Sequence, residues 1–163
     1  GRIAPPDVTS EEDDVYLRWI VASLHLVALV LGGAGIFGRA RLLRRIHDDT
    51  DLSALFLADN LWGAGAFLWL GTGAWRAFGG LENGTAYYLN HPLFYVKMSL
   101  LLVVALMEIG PAVTLLRWRR DSTRAMSASH RRVRTLARIS DLQLAIFVVT
   151  IFVATALARG LPG

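Results

Sequence analysis

The residues of this chain that could do chemistry are few, and all sit within or beside apolar runs. His25 stands inside SLHLVALVL. An imidazole on a membrane helix can ligate the iron of a haem or the magnesium of a (bacterio)chlorophyll; otherwise it hydrogen-bonds a neighbouring helix. Lys97 is the single lysine among 17 basic residues. Inside an apolar helix it either holds an anionic substrate or cofactor carboxylate, or snorkels to the nearer membrane edge. Asp59, its neighbour Asn60, Glu108 and Asp141 form a candidate intramembrane polar network. They suit either a proton path or pairing with Arg138 and the arginines near it, and pairing is the favoured role. Met98 and Met107 are packing residues before they are ligands, and His47, His91 and His130 fall in connections or at an end, against a bis-histidine haem.

The elements that must position these groups are membrane helices. Between Pro92 and Leu116 the chain is apolar for longer than the roughly 20 residues that cross a bilayer. Lys97 and Glu108 lie eleven positions apart in it, which returns them to nearly the same helix face with Leu101 and Val104 between. Helix rise separates them by about 16 Å, so they cannot pair directly. Charge in hydrocarbon costs several kcal/mol unless covered, so other helices must cover this face.

Four such helices are predicted, over about 15–37, 52–77, 92–116 and 139–158. Residues 1–14 read as an acidic, solvated tail, and 15–163 as one four-helix membrane domain. The charged n-region and cleavage site of a secretory signal peptide do not precede the first helix. Helix one is expected to stop at the basic segment Arg39, Arg41, Arg44 and Arg45. Small residues at four-residue spacing, Ala28/Gly32 and Ala34/Gly38, with Gly63, Gly65, Gly71 and Gly73 in helix two, predict close helix packing. Trp62 and Trp75 suit an interface or a core, and Tyr87 and Tyr88 suit an aromatic belt.

Composition bounds the rest. With 54% hydrophobic residues among 163, no room remains for a sizeable soluble domain beside the bundle. The chain has no cysteine, which excludes disulfides, thiolate metal sites, iron–sulfur clusters and a cysteine nucleophile. No catalytic triad, metal-ligand spacing or nucleotide motif is present. The arginines cluster at helix ends, where topology accounts for them, so no nucleic-acid partner is expected. Arg117, Arg119 and Arg120 are the candidate contacts to anionic lipid or a partner. The connections between helices one and two and between helices three and four are arginine-rich, which predicts that both lie in the cytoplasm and both termini in the periplasm.

Several stretches carry a resemblance. SLHLVALVL, ADNLWGAGAFLWLGTGAWRAF, YYLNHPLFYVKMSLLLVVAL and RWRR resemble a family of small four-helix bacterial inner-membrane proteins described only as a domain of unknown function. The chain is also distantly similar to the haem-associated membrane protoporphyrinogen oxidase of bacteria and to copper-resistance membrane proteins. The oxidase resemblance implies a histidine in helix one and a histidine–alanine–lysine motif at the start of helix three. His25 and Lys97 match two of these positions; Tyr95 stands where the second histidine would be, which counts against haem ligation.

The fold expected is an all-α, up-and-down bundle of four transmembrane helices in a bacterial inner membrane. The function expected is that of a non-enzymatic accessory subunit, which contacts membrane lipids and stabilises a larger photosynthetic or respiratory complex. The alternatives are a haem-dependent oxidoreductase acting on a tetrapyrrole, with His25 as axial ligand and Lys97 on a carboxylate, and a small transporter using Asp59, Glu108 and Lys97.

Overall fold

The computed structural model describes residues 8–46, 52–79 and 84–161. His47, Asp48, Asp49 and Asp51, in the connection after helix one, lie outside them, as do residues 1–7 of the expected tail. Six helices follow in order: α1 (Val8–Arg44), α2 (Leu52–Phe78), α3 (Thr85–Asn90), α4 (Pro92–Arg120), α5 (Thr123–Met126) and α6 (His130–Ala158). Four of them, α1, α2, α4 and α6, are long and apolar enough to cross a membrane. No strand occurs among the described residues.

Three helices extend past their predicted ends, each by residues that are polar but helix-compatible. α1 begins at Val8 rather than about residue 15, so Glu12, Asp13 and Asp14 occupy its early turns, where the positive end of the helix dipole favours acidic groups. It also runs through Arg39 to Arg44 instead of stopping at the basic segment. α4 continues through the RWRR stretch to Arg120. α6 begins about nine residues early because Ser129 caps it, its side chain accepting from the Arg132 backbone N–H at 3.4 Å. Hydropathy locates the membrane crossing; the hydrogen-bonded helix carries on into the arginines beyond it.

α1 packs along α2 and α6, and α6 packs along α4. Glycine sets the first of these interfaces. A Cβ on Gly35 would fall 2.4 Å from the Trp62 backbone nitrogen, and one on Gly65 2.5 Å from that of Gly32, so α1 and α2 touch backbone to backbone there. Gly63 and Gly71 face open space and play no such part. Three core layers stack along the bundle. Leu43, Leu55, Leu115 and Trp118 fill the arginine-rich end; Ile36, Trp62, Trp69 and Phe147 the middle; Tyr88, Phe94 and Leu157 the other end. Trp62 is thus core while Trp75 is half exposed. Tyr87 and Tyr88 do not form the expected belt: Tyr88 is buried, and the Tyr87 hydroxyl donates to the Leu157 carbonyl at 2.8 Å.

Candidate functional site

Two polar sites lie in the two halves of the bundle. The first centres on Arg39, whose side chain has no solvent-exposed surface. Its Nε donates to Ser140 Oγ at 3.1 Å. Nη1 donates to Asp59 Oδ1 at 3.0 Å and Glu108 Oε1 at 2.6 Å. Nη2 donates to Glu108 Oε2 at 2.8 Å and Gln143 Oε1 at 2.9 Å. A guanidinium has five N–H donors, and all five are used, with Glu108 held in a bidentate fork. Every membrane-spanning helix contributes: α1 through Arg39, α2 through Asp59, α4 through Glu108, α6 through Ser140 and Gln143.

The surrounding groups complete the network. Gln143 Nε2 donates to Glu108 Oε2 at 2.8 Å, and Ser140 Oγ to the Leu136 carbonyl at 3.1 Å. Arg119 caps the outer side, donating through Nη2 to Asp59 Oδ2 and Asn60 Oδ1, each at 2.9 Å. The two cations and two carboxylates sum to zero charge, the condition for placing them together in a low-dielectric interior.

Of the expected polar network, the structure brings Asp59, Glu108 and Asn60 together and leaves Asp141 out. Asp141 pairs instead with Arg44, and both are well exposed. The partner foreseen for the carboxylates is corrected too: Arg138 is exposed, and Arg39, read as the end of helix one, takes its place. Sequence reasoning missed Arg39, Ser140 and Gln143. A signal existed: Ala28, Gly32, Gly35, Ile36, Arg39 and Leu43 make one helical stripe, so Arg39 falls on the same face as the packing glycines.

The second site surrounds His25. Thr72 Oγ1 gives its one hydrogen to a backbone carbonyl, that of Leu68 at 2.7 Å. His25 Nδ1 lies 2.8 Å from Thr72 Oγ1, a hydrogen bond that ties α1 to α2. The imidazole stacks on Trp69 with centroids 5.7 Å apart, and it lies so close to α2 that a Cβ on Gly73 would be 3.2 Å from its Cε1. His25 and half-buried Lys97 border the same two cavities, of about 220 and 240 Å³. Tyr95, at the position of the missing second histidine, is 57% exposed, and its hydroxyl donates to the Leu89 carbonyl at 2.9 Å.

A groove joins the two sites. The close backbone packing that joins the other helices does not extend between α2 and α4 among the described residues. Their facing sides line a cavity of about 470 Å³, with Asp59 at one end of the α2 side, Glu108 midway along the α4 side between Leu101 and Leu116, and Trp62, Trp69 and Phe147 along it. Trp69, Leu70 and Leu101 also line the smaller 240 Å³ cavity beside Lys97, so the two spaces adjoin. The face expected from spacing, Lys97, Leu101, Val104 and Glu108, borders these cavities throughout. Where they meet, Trp69 Nε1 is buried without an acceptor. Among the described residues no group of three or more histidines and carboxylates could hold a metal ion.

Comparison with known proteins places the bundle. Residues 17–162 match the family model described as "Predicted membrane protein (DUF2214)". The chain belongs to this family. The match spans all four membrane helices and both polar sites, so the charged cluster and the groove lie within the family's region rather than on an appendage. No curated protein and no solved structure matches.

Proposed function

We propose that this multi-pass membrane protein is a non-enzymatic accessory subunit that takes up an apolar chain from the bilayer between α2 and α4, within a larger energy-transducing complex, photosynthetic or respiratory, of a bacterial inner membrane. The observation that carries the reading is the groove. An apolar cavity of about 470 Å³ at membrane depth falls within the roughly 300–1,000 Å³ of ligand sites between helices. Its apolar lining, with Asp59 and Glu108 within it and His25 and Lys97 beside the adjoining cavity, suits an elongated amphiphile such as an acyl or isoprenoid chain.

The haem-dependent alternative fits less well. The cavities beside His25, about 220 and 240 Å³, are smaller than usual ligand sites, and the Tyr95 hydroxyl is turned to the Leu89 carbonyl rather than offered as a second ligand. The transporter reading lacks broken helices, since α2 is continuous and α4 stays helical on both sides of Pro111. Under the arginine rule the Arg39 cluster lies in the cytoplasmic half, with both termini periplasmic.

The test is gentle detergent extraction from native membranes, with an absorption spectrum and mass spectrometry on the same fraction. We expect a large particle in which this chain retains an apolar ligand, lost in an Ala66→Trp variant that fills the groove. An isolated small particle that holds no apolar ligand would overturn the proposal. Because the chain is cysteine-free, Ala66→Cys can carry a crosslinker. Crosslinking to a partner protein there would keep the subunit and overturn the occupant. A stoichiometric haem spectrum abolished by His25→Ala would transfer the assignment to the oxidoreductase.

A further inference from the structure

Beyond the groove, the arginine-rich end of the bundle holds a third polar space, of about 300 Å³, among the last turn of α4, α5 and the first turn of α6. Arg117, Arg124 and Arg132 all line it, together with the hydroxyl-bearing Ser127 and Ser129 and the edge of buried Trp118. No acidic residue lines it. Arg124 is balanced by Asp121, its Nε 3.0 Å from Oδ2. Arg117 and Arg132 have no carboxylate partner among the described residues.

All three arginines are solvent-exposed, and two of them bring no counter-charge from the described residues. Arg119 lies in the same turn of α4 as Arg117, yet it is drawn to Asp59 and Asn60. The helix therefore sorts its arginines by direction: one closes the internal network, while another borders an acid-free cavity. Ser129 accepts from the Arg132 backbone N–H, which leaves its own hydroxyl hydrogen to donate. The start of the 29-residue α6 adds the positive end of its dipole.

We propose that this cavity binds a phosphate group, with Arg117 and Arg132 as its charge partners and Ser129 as a hydroxyl donor. Guanidinium forks match phosphate oxygens, and the cavity lies where α4 and α6 emerge from their apolar spans, the level of lipid headgroups. The phosphate comes from an anionic lipid headgroup or from solution, and the site's chemistry is the same for both. The inference is independent of what occupies the groove between α2 and α4.

The test uses the full chain in detergent micelles, with native mass spectrometry and titration of phosphatidylglycerol, phosphatidylcholine and inorganic phosphate. Arg117→Gln/Arg132→Gln is compared with Arg131→Gln/Arg134→Gln, which removes the same charge from exposed arginines that do not line the cavity. We expect phosphatidylglycerol or inorganic phosphate to bind saturably and to weaken at least about tenfold in the cavity pair and less than about twofold in the control pair. Thermal unfolding of each variant confirms that it is folded. Phosphatidylglycerol binding that inorganic phosphate does not displace assigns a lipid headgroup. Inorganic phosphate binding that phosphatidylglycerol does not compete assigns a soluble phosphate. Equal weakening in both pairs, or binding of neither probe, overturns the proposal.

Discussion

The two halves of the bundle use polar groups in opposite ways. Around Arg39 each guanidinium hydrogen has an acceptor, and the three other membrane helices each contribute a partner. Around His25 a hydrogen bond to Thr72 ties α1 to α2, and cavities adjoin the imidazole and Lys97. The first arrangement consumes its donors in holding helices together. The second leaves space beside polar atoms, and space is what a ligand requires. Charge inside a membrane is therefore no guide to a binding site until its partners are known; the more heavily charged region here is the lock.

The largest effect should come from breaking that lock. Arg39→Met leaves Asp59 and Glu108 without their buried counter-charge, a change of the kind that costs about 3–5 kcal/mol. Unfolding in mixed micelles measures it, and a loss below about 1 kcal/mol would remove the distinction between the halves. The comparison sharpens if the network is neutralised together: Arg39→Met with Glu108→Gln should regain most of the lost stability, because Asp59 keeps Arg119 and no unpaired charge then remains inside. Arg119 would keep its bond to the Asn60 carbonyl oxygen.

On the other side His25→Ala removes the hydrogen bond to Thr72 and the stack on Trp69, worth about 1–2 kcal/mol in the same unfolding assay. A loss as large as that for Arg39→Met would mean that this half is also a structural lock. The exposed pair outside both sites should matter least: Arg44→Ala, which frees Asp141, is expected to change stability by less than about 0.5 kcal/mol.

The smallest effect is a pH signature in the connection after α4. The Thr123 hydroxyl, then Arg124, hold the Asp121 carboxyl below the usual carboxylate range. A lowered folded value stabilises above the ordinary unfolded pKa of about 3.9 and fades as pH falls through the folded one. Wild type minus Asp121→Asn should thus be constant at neutral pH and shrink only below about pH 4. A difference that grows on acidification would reverse the assignment.

The number of membrane helices, the crossing segments and the inward face of α4 were legible in the sequence. They depend on apolar length and helical period, which are local: roughly 20 apolar residues span the bilayer, and eleven positions return Lys97 and Glu108 to one face. The roles of the charges were not local. Arg39 lies beside Arg41 and Arg44 in the chain, and hydropathy treats all as the end of a helix. Only the crossing of α1 and α2 at Gly35 and Gly65, backbone against backbone, carries Arg39 inward to Asp59, while Arg41 and Arg44 stay outside. The open seam between α2 and α4 was likewise decided by assembly, because a helix sequence states which residues are apolar but not which neighbour packs against them. Composition determined that this chain lies in a membrane; tertiary packing decided which charges hold it together and where space is left.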